Sequence, residues 1–386
     1  MSSPLFNKLS FSYFSYFGIL GLIVPFLSVF LDGRGFNSLE IGEILAIFTA
    51  TKIIGPTLWA MMADKSGKQL SIIQCGASLA LIAFTCLFWV DGYWPITFVL
   101  AIFSLFWTAI LPQLEVMTML SIRRNAKIYS RIRLWGSVGF IILAIVAGEI
   151  IGRFTPNAFT YIGWFILLAL AVSSFLLKQP KHQAKRDDEN SSIISKILAL
   201  NFIFFFIAGL LLQLSFGPYY SFFALYLRDF AYPDYAVGLL ISLGVVAEIL
   251  LFFVAGRLYQ FFGARLLITF SLIMTAIRWY LIGHFIENVY VLIFAQLIHA
   301  LSFGLYHSAS MQFLQQHFQR NQQNRGQAIY IAGVYGIGGA IGAYFSGVVW
   351  QDGAGSLLAF EYAALACVIA SVFACFIKEK IRKCDF

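Results

Sequence analysis

Apolar residues run along the 386-residue chain in long blocks, near 9–31, 40–62, 70–90, 94–120, 132–152 and 158–177. After a polar interval, six more follow near 197–227, 236–256, 264–285, 288–313, 327–349 and 356–377. A helix of about 20 apolar residues crosses about 30 Å of hydrocarbon, and each block has that length. Runs such as Leu198–Leu212 (LALNFIFFFIAGLLL) do not alternate, so a barrel of short strands is excluded. Backbone groups in lipid must bond within their own segment, which makes the blocks helices. The pattern predicts an all-α polytopic membrane protein of twelve transmembrane helices. These form two pseudo-symmetric six-helix halves, residues 1–177 and 197–386. The linker 178–196 opens with KQPKHQAKRDDENSS and has no apolar period.

Composition agrees and excludes alternatives. Hydrophobic residues are 60% and charged residues 11% of the chain, and mean hydropathy is +0.82, too apolar for a soluble enzyme. Twelve spans leave only short loops and tails, with no room for a second soluble domain. The five cysteines, Cys75, Cys86, Cys367, Cys375 and Cys384, form no CxxC pair, and four lie in apolar blocks. They read as small hydrophobes, with no disulfide framework and no metal site.

The net charge of +8 would suggest nucleic acid in a soluble protein, but here its placement explains it. With both termini cytoplasmic, 21 of the 26 Lys and Arg fall on the inner side. The outer loops hold only Arg34, Arg153 and Arg228. That bias predicts an inside–inside topology with an even number of spans. The first block follows Lys8 with no small-residue cleavage site, so no signal peptide is expected. No nucleotide-binding P-loop and no nucleophile–base pair is found, so neither an ATP-driven pump nor an enzyme is expected.

The halves echo each other. Leu39-Glu40-Ile41-Gly42 and Tyr235-Ala236-Val237-Gly238 open blocks two and eight at an offset of 196. Blocks five and eleven are both rich in glycine, which lets membrane helices approach closely. Paired halves suit alternating access about a central site. Pro25 and Pro218 are expected to break or bend blocks one and seven.

Ionisable residues deep in such segments face a cavity or a partner. Glu115 in block four and Arg133 in block five sit either side of a short basic loop. They either hold a polar substrate by charged hydrogen bonds or pin two helices together. Lys52 and Glu248 are equivalent in the repeat, since 52 plus 196 is 248. Glu248 carries the coupling proton, binds substrate, or stays ionised against Arg278 or Lys52. Arg278 in block nine needs an anion, either Glu248 or an anionic substrate. His299 in block ten, with Ser302, Tyr306 and Ser310 nearby, is a candidate proton carrier, and His307 a weaker one. No metal-ligand spacing involves either histidine, so no cofactor is expected.

The loop Ala60-Met61-Met62-Ala63-Asp64-Lys65-Ser66-Gly67-Lys68 resembles the signature loop of the major facilitator superfamily, with Ala60 in place of its first glycine. The second copy, Gly256-Arg257 to Gly263-Ala264-Arg265, is degraded. The resemblance implies that Asp64, Lys65, Gly67 and Lys68 gate helix movement on the cytoplasmic side. Within the superfamily the chain is similar to lactose permease-like and phenylpropionate permease-like proton symporters, a group related to nucleoside symporters. Its sharpest stretches are Tyr129–Phe140 (YSRIRLWGSVGF), Ser242–Phe252 (SLGVVAEILLF) and Gln296–His307.

This likeness implies substrate binding by Glu115 and Arg133, with Phe140 at a stacking position, and proton coupling through Glu248, Arg278 and His299; Lys52, from the repeat, and His307 complete the substrate-binding candidates. Phe140 stands where the lactose permease family has a sugar-stacking Trp. Ser302 replaces the block-ten Glu of that family, Gln296 its neighbouring Lys, and the block-seven acids are missing. These departures argue against lactose. The Leu-Trp-Gly-Ser motif, the Val-Val-Ala-Glu motif and both block-ten histidines, shared with the phenylpropionate permease-like members, turn the expectation to an aromatic carboxylate such as 3-phenylpropionate, with sugar or nucleoside symport and proton-driven efflux as alternatives. The coupling ion is expected to be a proton. The expected partners are a small-molecule substrate and the lipid of a bacterial inner membrane, with no nucleic acid, and the chain is expected to work as a monomer.

Overall fold

A computed structural model describes residues 3–122, 125–179, 192–319 and 321–378. The middle of the linker, 180–191, and the Asp64 side chain lie outside the described residues. Among the described residues the chain is helical and contains no strand. Eleven helical stretches are long and apolar enough to cross a membrane. One of them, Asp234–His284, has 51 residues and turns at Gly263, where φ is +71°. Each part of it is long enough to span, so counting it as two gives twelve.

The chain separates into two compact units. Unit 1 comprises Met1–Arg186 with Tyr220–Ser242, and unit 2 comprises Asp187–Tyr219 with Leu243–Phe386. Unit 1 is built from α1 (Ser3–Asp32), α2 (Ser38–Ser66), α3 (Gln69–Thr85), α4 (Tyr93–Trp107), α5 (Ile110–Ser121), α6 (Ala126–Arg153) and α7 (Ala158–Leu176). The short α8 (Ile194–Ile197) and then α9 (Leu200–Ser215) lie in unit 2. Most of α10 (Gly217–Asp229) and the start of α11 (Asp234–His284) belong to unit 1. Unit 2 takes the rest of α11, then α12 (Val289–His299), α13 (Tyr306–His317), α14 (Gln323–Tyr330), α15 (Gly339–Trp350) and α16 (Ser356–Cys375).

Local chemistry explains the boundaries. Asn37 caps α2 by accepting from the Glu40 N–H at 3.0 Å, and the Glu40 carboxylate accepts the Asn37 N–H at 3.0 Å. The same helix ends at Gly67, left-handed at φ +65°, whose N–H donates to the Ala63 carbonyl. The repeat is visible here: α2 and α11 begin at Ser38 and Asp234, and they turn at Gly67 and Gly263, both pairs 196 apart.

Several blocks are less regular than their composition suggests. Block four breaks between Trp107 and Ile110, and block seven breaks at Phe216. Pro218 is the second residue of α10, where a missing N–H costs nothing. Pro25, by contrast, lies inside an unbroken α1. Blocks ten and eleven each contain a π-helical stretch, Ala300–Leu305 and Ile331–Gly338. Apolar periodicity carries no sign of such breaks, because the residues on both sides are equally apolar.

In unit 1, α1 is buried against α6 and α7. The contact is close enough that a Cβ at Gly139 would stand 2.3 Å from the Phe14 carbonyl oxygen, and one at Gly21 2.3 Å from that of Phe140. The start of α11 crosses α6 in the same way. A Cβ at Gly238 would meet the Ala144 carbonyl oxygen at 2.2 Å, and one at Gly148 that of Asp234 at 2.5 Å. Asp234 is fastened by a two-pronged pair with Arg228 at 2.6 and 2.8 Å. In unit 2, α9 packs on α16 and α15.

Candidate functional site

Unit 1 gathers a polar cluster among aromatic rings. Glu115 on α5 accepts a hydrogen bond from the Tyr129 hydroxyl of α6 at 3.3 Å. Arg133, one helical turn further on, holds its guanidinium 3.8 Å from the centre of the Phe17 ring. Among the described residues no salt bridge joins Glu115 to Arg133. Phe17 stacks in line with Tyr13, and Tyr16 stacks on Trp107 at 5.1 Å. Gly136 makes this possible: a Cβ there would lie 2.6 Å from the Phe17 ring and 2.9 Å from the Arg133 guanidinium. Trp107 Nε1, the Tyr13 hydroxyl and the Thr118 hydroxyl are buried with no well-formed hydrogen bond among the described residues. Flat apolar faces beside a cation and a carboxylate suit a solute with a ring and a polar end.

Lys52 lies apart from that pair, partly buried, with its ammonium 5.7 Å from the Phe48 ring. Phe140 is buried where α6 meets α1 at Gly21.

Unit 2 gathers the other candidates. Arg278 is fully buried, a costly placement for a charge. Its Nε donates to the Ala295 carbonyl at 3.0 Å and its Nη2 to Gln296 Oε1 at 3.1 Å. The guanidinium also lies 4.2 Å from the Tyr219 ring and 4.5 Å from that of Trp279. The Tyr219 hydroxyl donates to the same Gln296 oxygen at 2.8 Å. Tyr219 in turn faces the His299 ring at 6.3 Å. His299 Nε2 is 3.9 Å from Glu248 Oε2. Two glycines bring the helices this close: a Cβ at Gly244 would touch the His299 ring at 3.1 Å, and one at Gly304 would meet Glu248 Cγ at 2.9 Å.

Beyond His299, the ring planes of His299 and Phe303 lie 2° apart with centroids at 5.7 Å. Those of Phe303 and His307 lie 8° apart at 6.0 Å. His307 Nδ1 is 3.0 Å from the Tyr335 hydroxyl. Arg278, Glu248 and His299 thus share a cluster in unit 2, with His307 beyond the Phe303 ring, while Glu115 and Arg133 share a cluster in unit 1.

The signature loop gains a partner that the sequence did not reveal. Gln179 accepts the Leu70 N–H at 3.1 Å, and its amide donates to Gln69 Oε1 at 3.1 Å and to the Gly67 carbonyl at 3.4 Å. Lys65 closes α2 and Lys68 leads into α3. Phe303, Tyr335, Gly244 and Gly304 were equally silent in the sequence. The one available signal for Phe303 was its i+4 spacing from both His299 and His307. Among the described residues no group of three or more His, Cys, Asp or Glu comes together that could hold a metal ion.

Comparison with known proteins agrees on a transporter. The model of the MFS_1 like family matches residues 6–362. The "Probable 3-phenylpropionic acid transporter" of Escherichia coli (strain K12) is 30% identical over 353 residues, covering 89% of this chain and 90% of that protein. The "Putative nucleoside transporter YegT" of the same organism is 24% identical over 366 residues, covering 89% and 84%. A crystal structure of the nucleoside transporter NupG matches with a TM-score of 0.83 at 18% identity, covering 98% of this chain and all of that one. A variant of it reaches 0.87 at 16%. The polar clusters therefore sit in a multi-pass bacterial membrane protein that is no enzyme but a secondary transporter of a small organic solute, and the chain belongs to the MFS_1 like family within the major facilitator fold.

Proposed function

We propose that this protein is a proton symporter for a small solute built on a flat ring, working by alternating access. The observation that carries the reading is the pair of aromatic, charge-bearing clusters. In unit 1, Arg133 and Glu115 lie among Tyr13, Tyr16, Phe17 and Trp107. In unit 2, Glu248 and His299 stand 3.9 Å apart, close enough for one water, or a small approach, to pass a proton between acid and imidazole. Solute contacts fall to Glu115, Arg133, Phe140, Lys52 and His307. The proton falls to Glu248, with His299 and Arg278 setting its environment. Asp64, Lys65, Gly67 and Lys68 gate the cycle on the cytoplasmic side. The chain works as a monomer in the inner membrane with both termini in the cytoplasm. Its two six-helix halves, 1–177 and 197–386, are joined by the linker 178–196.

Two solute classes have support. A nucleoside, with a base to stack and a sugar to hydrogen-bond, is favoured by the relative named for nucleosides and by the close likeness in fold to NupG. An aromatic carboxylate such as 3-phenylpropionate is favoured by the relative at 30% identity. It is also favoured by Arg133, which lies on a ring face with no salt bridge to Glu115.

Uptake into proteoliposomes under an imposed pH gradient, acid outside, decides the matter. Labelled uridine, 3-phenylpropionate and a galactoside are compared, each against the other two as competitors. Gradient-driven accumulation of one ring-bearing solute supports the reading. Accumulation of the galactoside alone overturns the ring requirement, and solute moving out against the gradient marks an efflux pump.

A further inference from the structure

Two polar groups of unit 2 flank the π-helical stretch Ala300–Leu305. The first is the Glu248, His299, Arg278 and Gln296 cluster described above. The second begins at His307, whose Nδ1 is 3.0 Å from the Tyr335 hydroxyl. The Tyr335 ring meets that of Tyr330 edge-on at 5.9 Å. Tyr306, Ser310 and Tyr330 add three buried hydroxyls that make no well-formed hydrogen bond among the described residues. This group continues along α13 and α14 towards residues 317–325, the side that the basic residues assign to the cytoplasm.

Among the described residues, Phe303 stands between the two histidines. Phe303 is four residues from each histidine, and its ring lies parallel between theirs. It sits in the π-helical stretch Ala300–Leu305, an irregularity often found at functional positions. Ser302, its neighbour, is buried and turns its hydroxyl back to the Ile298 carbonyl at 3.2 Å, so it does not bridge the gap. A phenyl ring has neither a proton to give nor a lone pair to take one. Both neighbours have both.

We propose that Phe303 is an insulator. It keeps the proton held at Glu248 and His299 from passing to His307, Tyr335 and the buried hydroxyls unless the solute cycle moves it. The inference rests on the coupling role proposed for Glu248. A symporter needs such a break, because a continuous row of titratable groups would dissipate the proton gradient without moving solute. With a third imidazole at position 303 the row would be complete. Each ring would accept a proton on one nitrogen and release one from the other, from Glu248 to the Tyr335 hydroxyl.

The test measures collapse of an imposed pH gradient in proteoliposomes, read by an entrapped pH-sensitive dye with no solute present. Phe303→His should leak protons several-fold faster than wild type. Phe303→Ser, which admits water, should also leak and serves should the first variant fold poorly. Phe303→Leu should stay as tight as wild type, and Phe303→His with His307→Leu should be tight again. Polar variants that are folded by circular dichroism yet as tight as wild type would overturn the proposal. So would leakage by Phe303→Leu, or leakage that survives loss of His307. Failure of the coupling reading is separately visible, as wild-type solute uptake that ignores the pH gradient.

Discussion

His299 Nε2 stands 3.9 Å from Glu248 Oε2, with Gly244 backing the imidazole and Gly304 backing the carboxylate. The pair joins α11 to the end of α12, at a separation that one water can bridge. Glu248→Gln keeps the size and hydrogen-bonding capacity but removes the proton site. Proton-driven accumulation should be lost, while exchange of solute across the membrane persists. Uptake with and without a pH gradient, beside counterflow, measures both; full gradient-driven accumulation by the variant would end the assignment.

Adding a methyl group at Gly136 should damage the unit 1 cluster from beneath. The new Cβ would fall 2.6 Å from the Phe17 ring and 2.9 Å from the Arg133 guanidinium, so both must move. Overpacking of this kind costs about 1–3 kcal/mol. Gly136→Ala should raise the solute KM about tenfold, the equivalent of about 1.4 kcal/mol, with a smaller change in kcat. An unchanged KM would place the solute elsewhere.

Arg133 separates the two candidate solute classes. Arg133→Gln removes the charge that would hold a carboxylate. Affinity for an anionic solute should drop by about 1.5–3 kcal/mol, whereas a neutral nucleoside should lose less. Equilibrium binding of each solute to purified protein reads the difference.

Gly238 packs directly on the Ala144 carbonyl oxygen. Any side chain at Gly238 must push the start of α11 off α6. Gly238→Val should therefore lower turnover sharply while helix content persists. Transport rate and circular dichroism, measured on the same preparation, test this; wild-type turnover would show that the contact is not used in the cycle.

Gly67 ends α2 with a positive φ of 65°. A side chain in that conformation costs roughly 1–2 kcal/mol. Gly67→Ala should lower the unfolding midpoint in detergent by a few degrees and slow transport, because the turn it shapes is also held by Gln179. A midpoint equal to wild type would count against strain at this position.

Much of the fold was legible in the chain order. Block length and hydropathy mark the spans because lipid enforces them residue by residue. The repeat was legible too, and its offset of 196 reappears in the structure at both ends of α2 and at the matching points of α11. The candidate site was legible only as a list of expensive residues. Glu115, Arg133, Glu248, Arg278 and His299 stand out because polar groups are rare in such segments, and rarity needs no geometry to detect.

What the sequence determined by itself was therefore the class of solvent, the helices, the repeat and the short list of polar residues that lipid makes costly. Only tertiary structure decided who meets whom. It placed Glu115 on Tyr129 and Arg133 on Phe17, tied Gln179 to the signature loop, and set Phe303 between two histidines. Those partners are aromatic or amide side chains, common everywhere in such a chain, so composition cannot single them out. Pro218 marked the break in block seven, but the break near Thr108 and the π-helical turns were hidden for a related reason. They follow from how neighbouring helices pack, while the residues that form them are as apolar as those on either side.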